Sequence, residues 1–334
     1  MADLNNKKEK IKFIDLFCGI GGFHIAFNNL GINCVFASDI DEECRKTYKT
    51  NYKMEVHGDV AQINEKEVPD HDILCAGFPC QPFSICGKQK GFSDERGNLF
   101  FEILRIIKEK SPKVVFLENV RNLKDHDKGN TLKTIILELE KVGYKISWKV
   151  LNAKDFGTAQ NRERIIIIGN KERKFDFSIL EHQKPLFVKD ILDNEGNFEY
   201  LESSEYTIIE KSLWKKQSSG LIFCGYRNKD IRKAGVRPNT EHLSRVHKQP
   251  NRIYHINGTH PTIPSQETSG RFWIYNDKSV RKLTINECFK LMGFPNSFIK
   301  VSTNGKLYNQ IGNSVSIPMI ETVGKEIVSQ YFIK

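Results

Sequence analysis

Short apolar runs alternate with helical patterns through the first half of this chain, and that rhythm constrains the fold more than any other feature. Lys12–Phe17, Cys34–Ser38, Asp72–Ala76, Val114–Leu117, Ser147–Leu151 and Arg164–Ile168 read as strands, with a further short one near Val56-His57. Helical periodicity fills the gaps, through Leu30, from about Asn98 to Lys110 and from Thr131 to Gly143. Strands separated by helices need crossover connections, run parallel and are covered on both faces. The expected class is therefore α/β, with a doubly wound, mixed and mostly parallel sheet. From about Lys189 to Tyr275 the rhythm lapses into polar, turn-rich sequence with short apolar-aromatic pieces, which predicts a smaller, irregular, β-leaning domain. Helical spacing resumes at Leu283–Met292, and an apolar helix from Pro318 to about Tyr331 is expected to pack back on the first domain, making the middle domain an insertion.

Open α/β sheets bind ligands beyond the carboxyl ends of their strands, so the residues at those ends matter most. The first strand runs into Cys18-Gly19-Ile20-Gly21-Gly22, a glycine turn that lets the backbone approach a ligand closely. The second ends in Asp39, twenty residues after Gly19, a distance that suits a carboxylate on the two hydroxyls of a ribose. Asp59 is placed for the ligand's base or amino group. Both aspartates alternatively read as caps of the helices that follow.

The Asp72–Ala76 run ends in Gly77-Phe78-Pro79-Cys80-Gln81-Pro82-Phe83-Ser84. Two prolines stiffen this turn and set Cys80 just past a buried strand. A long polar loop, Cys86 to Gly97, follows and reads as a lid or binding element. The next strand delivers Glu118-Asn119-Val120 to the same sheet edge. Neighbouring strands lie about 5 Å apart, which brings thiol and carboxylate within reach of one substrate. In Gln160-Asn161-Arg162-Glu163-Arg164 the two arginines alternate as on a strand and are expected to point the same way; a surface ion pair with Glu163 is the other reading of either.

Charge bears on the partner. The formal net charge is +10, and the stretch Lys211–Arg252 holds eleven Lys or Arg against only Asp230 and Glu241, interleaved with Trp214, Phe223 and Tyr226. A basic surface carrying aromatics suggests nucleic acid. Eight cysteines lie scattered with no Cys-x-x-Cys pair, which argues against a metal site or disulfide framework and for a reducing cytoplasm. The start is polar and lysine-rich, so neither signal peptide nor membrane anchor is expected.

With these residues in hand, the chain resembles the bacterial DNA cytosine-5 methyltransferases, especially the short restriction–modification enzymes of the HhaI kind. The resemblance rests on ordered blocks: Asp15–Gly22, Gly77–Ser84, Glu118-Asn119-Val120, Gln160–Arg164, Arg281-Lys282-Leu283-Thr284 and Gln310-Ile311-Gly312-Asn313-Ser314-Val315. It implies the sheet of the S-adenosylmethionine-dependent methyltransferases, and that cofactor held by Phe17, Gly19, Ile20, Gly22, Asp39, Ile40, Asp59, Val60, Pro79, Leu99, Asn313, Ser314 and Val315. It makes Cys80 the nucleophile on cytosine C6, with Glu118 at ring N3, Arg162 near O2, and Arg164 completing the catalytic set. Double-stranded DNA is the implied partner, with a flipped-out base. Gln81, Ser84, Cys86, Lys88 and Arg96 would face its minor-groove side, and Arg227, Arg232, Arg237, Arg245, Arg252 and Thr262 its major groove. The implied division is 1–188 with 313–334 as the catalytic domain, 189–284 for target recognition and 285–312 as hinge. A monomer is implied that needs neither metal nor membrane, with a cognate restriction endonuclease as companion activity. Two departures stand out: Ile40 replaces an aromatic that often packs on adenine, and Cys86 stands where serine or alanine is common.

Overall fold

The computed structural model describes residues 11–79, 99–229 and 239–333. The chain divides into two compact units: Met1–Leu151, Glu163–Leu180 and Ile320–Lys334 form one, Asn152–Arg162 and Glu181–Met319 the other.

The first unit contains β1 (Lys12–Leu16), α1 (Gly22–Asn29), β2 (Asn33–Ser38), α2 (Glu42–Tyr52), β3 (Ile73–Gly77), α3 (Leu99–Lys110), β4 (Val114–Val120), α4 (Asn130–Lys141) and β5 (Lys145–Asn152). After β6 (Gln160–Asn161), which belongs to the second unit, β7 (Glu163–Asn170) returns to the first. The sheet order is β2-β1-β3-β4-β7-β5. β1 pairs in parallel with β2 and β3, β3 with β4, and β7 runs antiparallel to β4. The sheet is thus doubly wound and mixed, and the winding reverses between β1 and β3. The glycine-rich turn follows β1 at that switch point, and the proline-rich stretch expected after β3 lies, from Cys80 on, outside the described residues.

Burial on two faces explains the unbroken apolar runs: Ile73 to Ala76 and Val114 to Leu117 are all fully buried. α3 covers one face with Phe100, Ile103, Leu104 and Ile107, and the closing helix Ile317–Tyr331 adds Ile320, Val323 and Ile327 to the first unit. Two strand expectations change. The Val56-His57 strand is a single parallel bridge, Ser38 to His57. β4 continues through Glu118-Asn119-Val120 rather than ending at Leu117, because these polar residues find partners on neighbouring strands.

The second unit contains β8 (Tyr206–Ile208), β9 (Phe223–Arg227), β10 (Arg252–His255), β11 (His260–Pro261), β12 (Trp273–Tyr275), β13 (Val280–Lys282), α5 (Ile285–Leu291) and α6 (Asn304–Asn313). Its sheet, β13-β12-β10-β9-β8, is antiparallel except for β10 beside β12. Trp273 packs at its centre against Cys224, Ile253 and Val280. Arg281 makes a buried ion pair with Glu287 at 2.7 Å, and Thr284 closes a capping box with the same glutamate. The Arg281–Thr284 block is therefore a fastening for α5. These units break at other positions than the expected domains. Residues 152–162, 181–188 and 285–319 cluster with the second unit, where β6 pairs with β11 in parallel.

Candidate active site

The turn after β1 and the strand ends beside it organise the first unit's chemistry. In the turn after β1, Phe17 and Gly19 take left-handed φ of 56° and 54°, and Gly21 caps α1 at φ 85°. A non-glycine residue held there is the kind of local cost that surrounding contacts must sustain. A Cβ on Gly19 would meet nothing within 4 Å, so the turn opens onto free space. A Cβ on Gly21 would strike the Tyr52 ring at 2.2 Å, and the Tyr52 hydroxyl donates to the Ile20 and Gly21 carbonyls. The ring shapes the turn from behind while Gly19 leaves its front clear.

Asp39 fastens this turn. Its carboxylate accepts from the Gly19 N–H and the Asp41 N–H, each at 2.8 Å. Asp41, not Asp39, caps α2 by accepting from the Glu43 and Cys44 N–H groups. Asp59 does cap, accepting from Ala61 N–H at 3.0 Å over the short turn Val60–Gln62. Arg105 holds that segment by donating to the Val60 and Ile63 carbonyls. Ile40 is 72% exposed, and Val60 is buried.

Asp15 was not singled out by sequence as a site residue. It is fully buried on β1, and neither carboxylate oxygen has a hydrogen-bond partner. Burial, then the nearby Asp39, push its carboxyl well above the ordinary range. Burial raises Asp39 as well. The Asp39 carboxyl beside an open glycine turn suits a ligand that carries a ribose, so the residues present fit S-adenosylmethionine.

Asp15 also yields a stability prediction. The folded state binds its proton more tightly than the unfolded chain, a contribution present in full below the unfolded pKa and lost as pH rises through the folded one. Asp15→Asn should therefore raise the melting temperature at pH 7 by about 2–4 °C. The difference should close below about pH 4. Scanning calorimetry of both proteins across that range checks this, and a constant difference would show that ionisation is not the cause.

At the neighbouring strand ends, Glu118 on β4 lies between Gly77 of β3 and Ile166 of β7, and Val120 lies opposite Arg164. Glu118 and Arg164 are thus diagonal neighbours on one sheet face. The Arg164 Nε is 2.9 Å from Glu118 Oε1, with both residues buried. Desolvation pulls the Arg164 pKa down and Glu118 partly restores it. Asn119 donates to the Phe78 carbonyl at 2.8 Å, fixing the chain two residues before Cys80.

The two arginines fall in different compact units. Arg162 falls in the break between β6 and β7, and its guanidinium donates to the carbonyls of Ile263, Gly312 and Ser314, all within the second unit. Glu163 bonds Arg121 at 2.7 Å. The expected strand alternation from Arg162 to Arg164 does not hold, because residue 162 lies in the break between β6 and β7.

The remaining candidates separate by environment. Phe17 and Leu99 are half-buried, Ile20 and Gly22 are buried, and Pro79 is exposed. Asn313 is exposed between the buried Ser314 and Gly312. Arg227 lies over the Trp273 ring and bridges to Glu205 at 3.4 Å. Arg252 donates to the His247 carbonyl, Thr262 donates to the Asn161 carbonyl, and Arg245 is exposed. Cys80, Gln81, Ser84, Cys86, Lys88, Arg96, Arg232 and Arg237 lie outside the described residues. Among the described residues no helix is long and apolar enough to cross a membrane, and no group of three metal-ligating side chains comes together.

Comparison with known proteins follows the same lines. A family model described as C-5 cytosine-specific DNA methylase matches residues 11–329. The type II methyltransferase M.HhaI of Haemophilus parahaemolyticus is 39% identical over all of this chain and 99% of its own length. M.NlaX of Neisseria lactamica is 40% identical over 95% of this chain and 96% of its own. Among solved structures, the Entamoeba histolytica methyltransferase EhMeth superposes with a TM-score of 0.67 at 23% identity, covering 96% of this chain and 99% of that one, which bears on the fold alone. A doubly wound α/β sheet, a family match over nearly the whole chain and relatives of this similarity lead to one conclusion: the chain belongs to the C-5 cytosine-specific DNA methylases and is a cytosine-C5 DNA methyltransferase of the type II restriction–modification kind.

Proposed function

We propose that this chain methylates carbon 5 of one cytosine within a short duplex DNA site, using S-adenosylmethionine, as the modification enzyme of a restriction–modification pair. The observation that carries the reading is the Glu118–Arg164 pair on β4 and β7, in register with the strand that leads into Pro79-Cys80. When bound, the cofactor supplies an electrophilic methyl group on a sulfonium. The residues do the rest.

Cytosine C5 is a weak nucleophile until the Cys80 thiolate adds to C6, which pushes an electron pair toward C5 and the ring. Glu118, anionic beside Arg164 in the free chain, takes up a proton from solvent as the base enters and donates it at N3 as negative charge builds there. The place at O2 that the resemblance gave to Arg162 falls to Arg164, the arginine that contacts Glu118; a fixed cation there stabilises the developing charge. C5 then takes the methyl group, loses its proton to a water, and expels the thiolate, so the free enzyme is restored. The base must leave the helix to meet these groups. The basic second-unit stretch, with Arg245 exposed, supports a DNA-binding role for that unit.

Bisulfite sequencing of DNA from a host expressing the chain tests the reading. The expected result is conversion-resistant cytosine at one position of a single short recurring sequence. Methyl groups found only in transfer RNA would overturn it.

A further inference from the structure

We propose that Tyr52 is a positioning residue for the cofactor, its hydroxyl fixing the glycine turn after β1. The proposal rests on the reading above that this turn and Asp39 suit S-adenosylmethionine, and every residue in it belongs to the first unit.

The turn has little of its own to hold it. Phe17, Gly19 and Gly21 all take left-handed φ, and Gly21 caps α1 without a side-chain bond. A backbone built on such residues needs contacts from elsewhere to keep one shape. Asp39 supplies them at one end, through the Gly19 N–H. Tyr52, the last residue of α2, supplies them at the other. Its hydroxyl lies 3.0 Å from the Ile20 carbonyl oxygen and 2.9 Å from that of Gly21. A phenol has a single proton, so the two carbonyls share it in a three-centre bond. Burial, then Asp15, push this phenol well above its ordinary range, which keeps it a donor.

That bond decides which way the turn's peptides face. The Gly21 N–H is taken up by the Cys18 carbonyl at 2.8 Å. A trans peptide carries its C=O and N–H on opposite sides, so drawing the Gly21 carbonyl back to Tyr52 turns the Gly22 N–H away from it. Gly22 opens α1, where N–H groups have no partner within the helix.

The ring is clamped in its turn. His24 on α1 stacks on it with centroids 4.0 Å apart and planes 14° apart, and Tyr48 meets it edge-on at 4.5 Å. Tyr48 is fully buried, and its hydroxyl shares a 2.7 Å hydrogen bond with His24 Nδ1. A Cβ on Gly21 would fall 2.2 Å from the Tyr52 ring, so ring and turn are already in close contact. These contacts hold the hydroxyl over the two carbonyls.

Calorimetric titration of the full chain with S-adenosylmethionine, without DNA, tests this. Tyr52→Phe keeps the ring and removes the donor, and should weaken binding about threefold to tenfold, the worth of one neutral hydrogen bond. In steady state the KM for cofactor should rise by a larger factor than kcat falls. Hydrogen exchange should accelerate over 19–23 while β4 keeps its protection. Tyr144→Phe is the matched control. Tyr144 is also buried and donates to a main-chain carbonyl, that of Pro112, but it does so at the amino end of β4, the opposite end of the parallel strands from the turn. It should lose comparable stability and bind the cofactor within about twofold of the natural chain. If Tyr52→Phe does not fold, His24→Leu withdraws the stacked ring instead and should lower affinity about threefold. Wild-type affinity in whichever of these two folds overturns the proposal, and so does an equal loss in Tyr144→Phe. Failure of the unmodified chain to bind S-adenosylmethionine would overturn the functional reading, and this proposal with it.

Discussion

Cys80→Ser should lower methyl transfer by at least about 10⁴-fold, the loss expected when a nucleophile is removed from residues that act as a unit. A free thiol has a pKa near 8.5, so a usable fraction is thiolate at neutral pH; a serine hydroxyl offers no comparable anion. The substitution is nearly isosteric, and the chain just before residue 80 is held independently by the Asn119 bond to the Phe78 carbonyl. Cofactor affinity and folding should therefore survive. The decisive measurement pairs tritiated methyl transfer with trapping on DNA that contains 5-fluorocytosine at the target. The natural chain should give a denaturation-resistant adduct mapped to Cys80 and the variant none. Appreciable turnover by the serine variant would remove Cys80 as nucleophile.

Glu118→Gln should cut kcat by about 10²–10³-fold, the range for losing a positioned proton donor or charge-stabilising group. It should also cost about 1–3 kcal/mol of stability, because Arg164 is left in a buried position without its anionic partner. These two effects are separable. Adding Arg164→Met to the same chain replaces the stranded cation by an apolar side chain and should recover part of the stability, while activity falls further or stays at the floor. Urea denaturation and single-turnover methyl transfer on the four proteins of this cycle give both answers. Near-normal kcat in Glu118→Gln would show that the pair only braces the sheet.

The sequence made the sheet legible because its strands are buried on both faces and so read as continuous apolar runs punctuated by glycine or proline. The glycine turn after β1 was visible for the same reason, since it interrupts such a run with residues of special backbone geometry. What escaped was whatever depends on distant partners. β4 runs on through Glu118 and Asn119 because Arg164 and the Phe78 carbonyl satisfy them, and no local pattern announces that. α6 was missed because Asn304-Gly305 opens it and Gly312-Asn313 closes it, all poor helix formers; burial of Leu307, Tyr308 and Ile311 holds it instead. Asp15 looked like an ordinary strand residue, and only three dimensions show a fully buried carboxyl that no protein donor reaches. Arg162 and Arg164 matched a two-residue period, yet a break of one residue separates β6 from β7, so the strand on which that period depends does not run through both.

The path of the backbone has a practical meaning for anyone wishing to build hybrids. It crosses between the compact units four times, after Leu151, Arg162, Leu180 and Met319. Neither half can be lifted out as one continuous ribbon, and a graft of 181–319 alone would leave His260-Pro261 without the matching piece of donor chain at Gln160-Asn161. A chimaera that keeps its parentage consistent must carry the eleven-residue excursion Asn152–Arg162 along with the larger block.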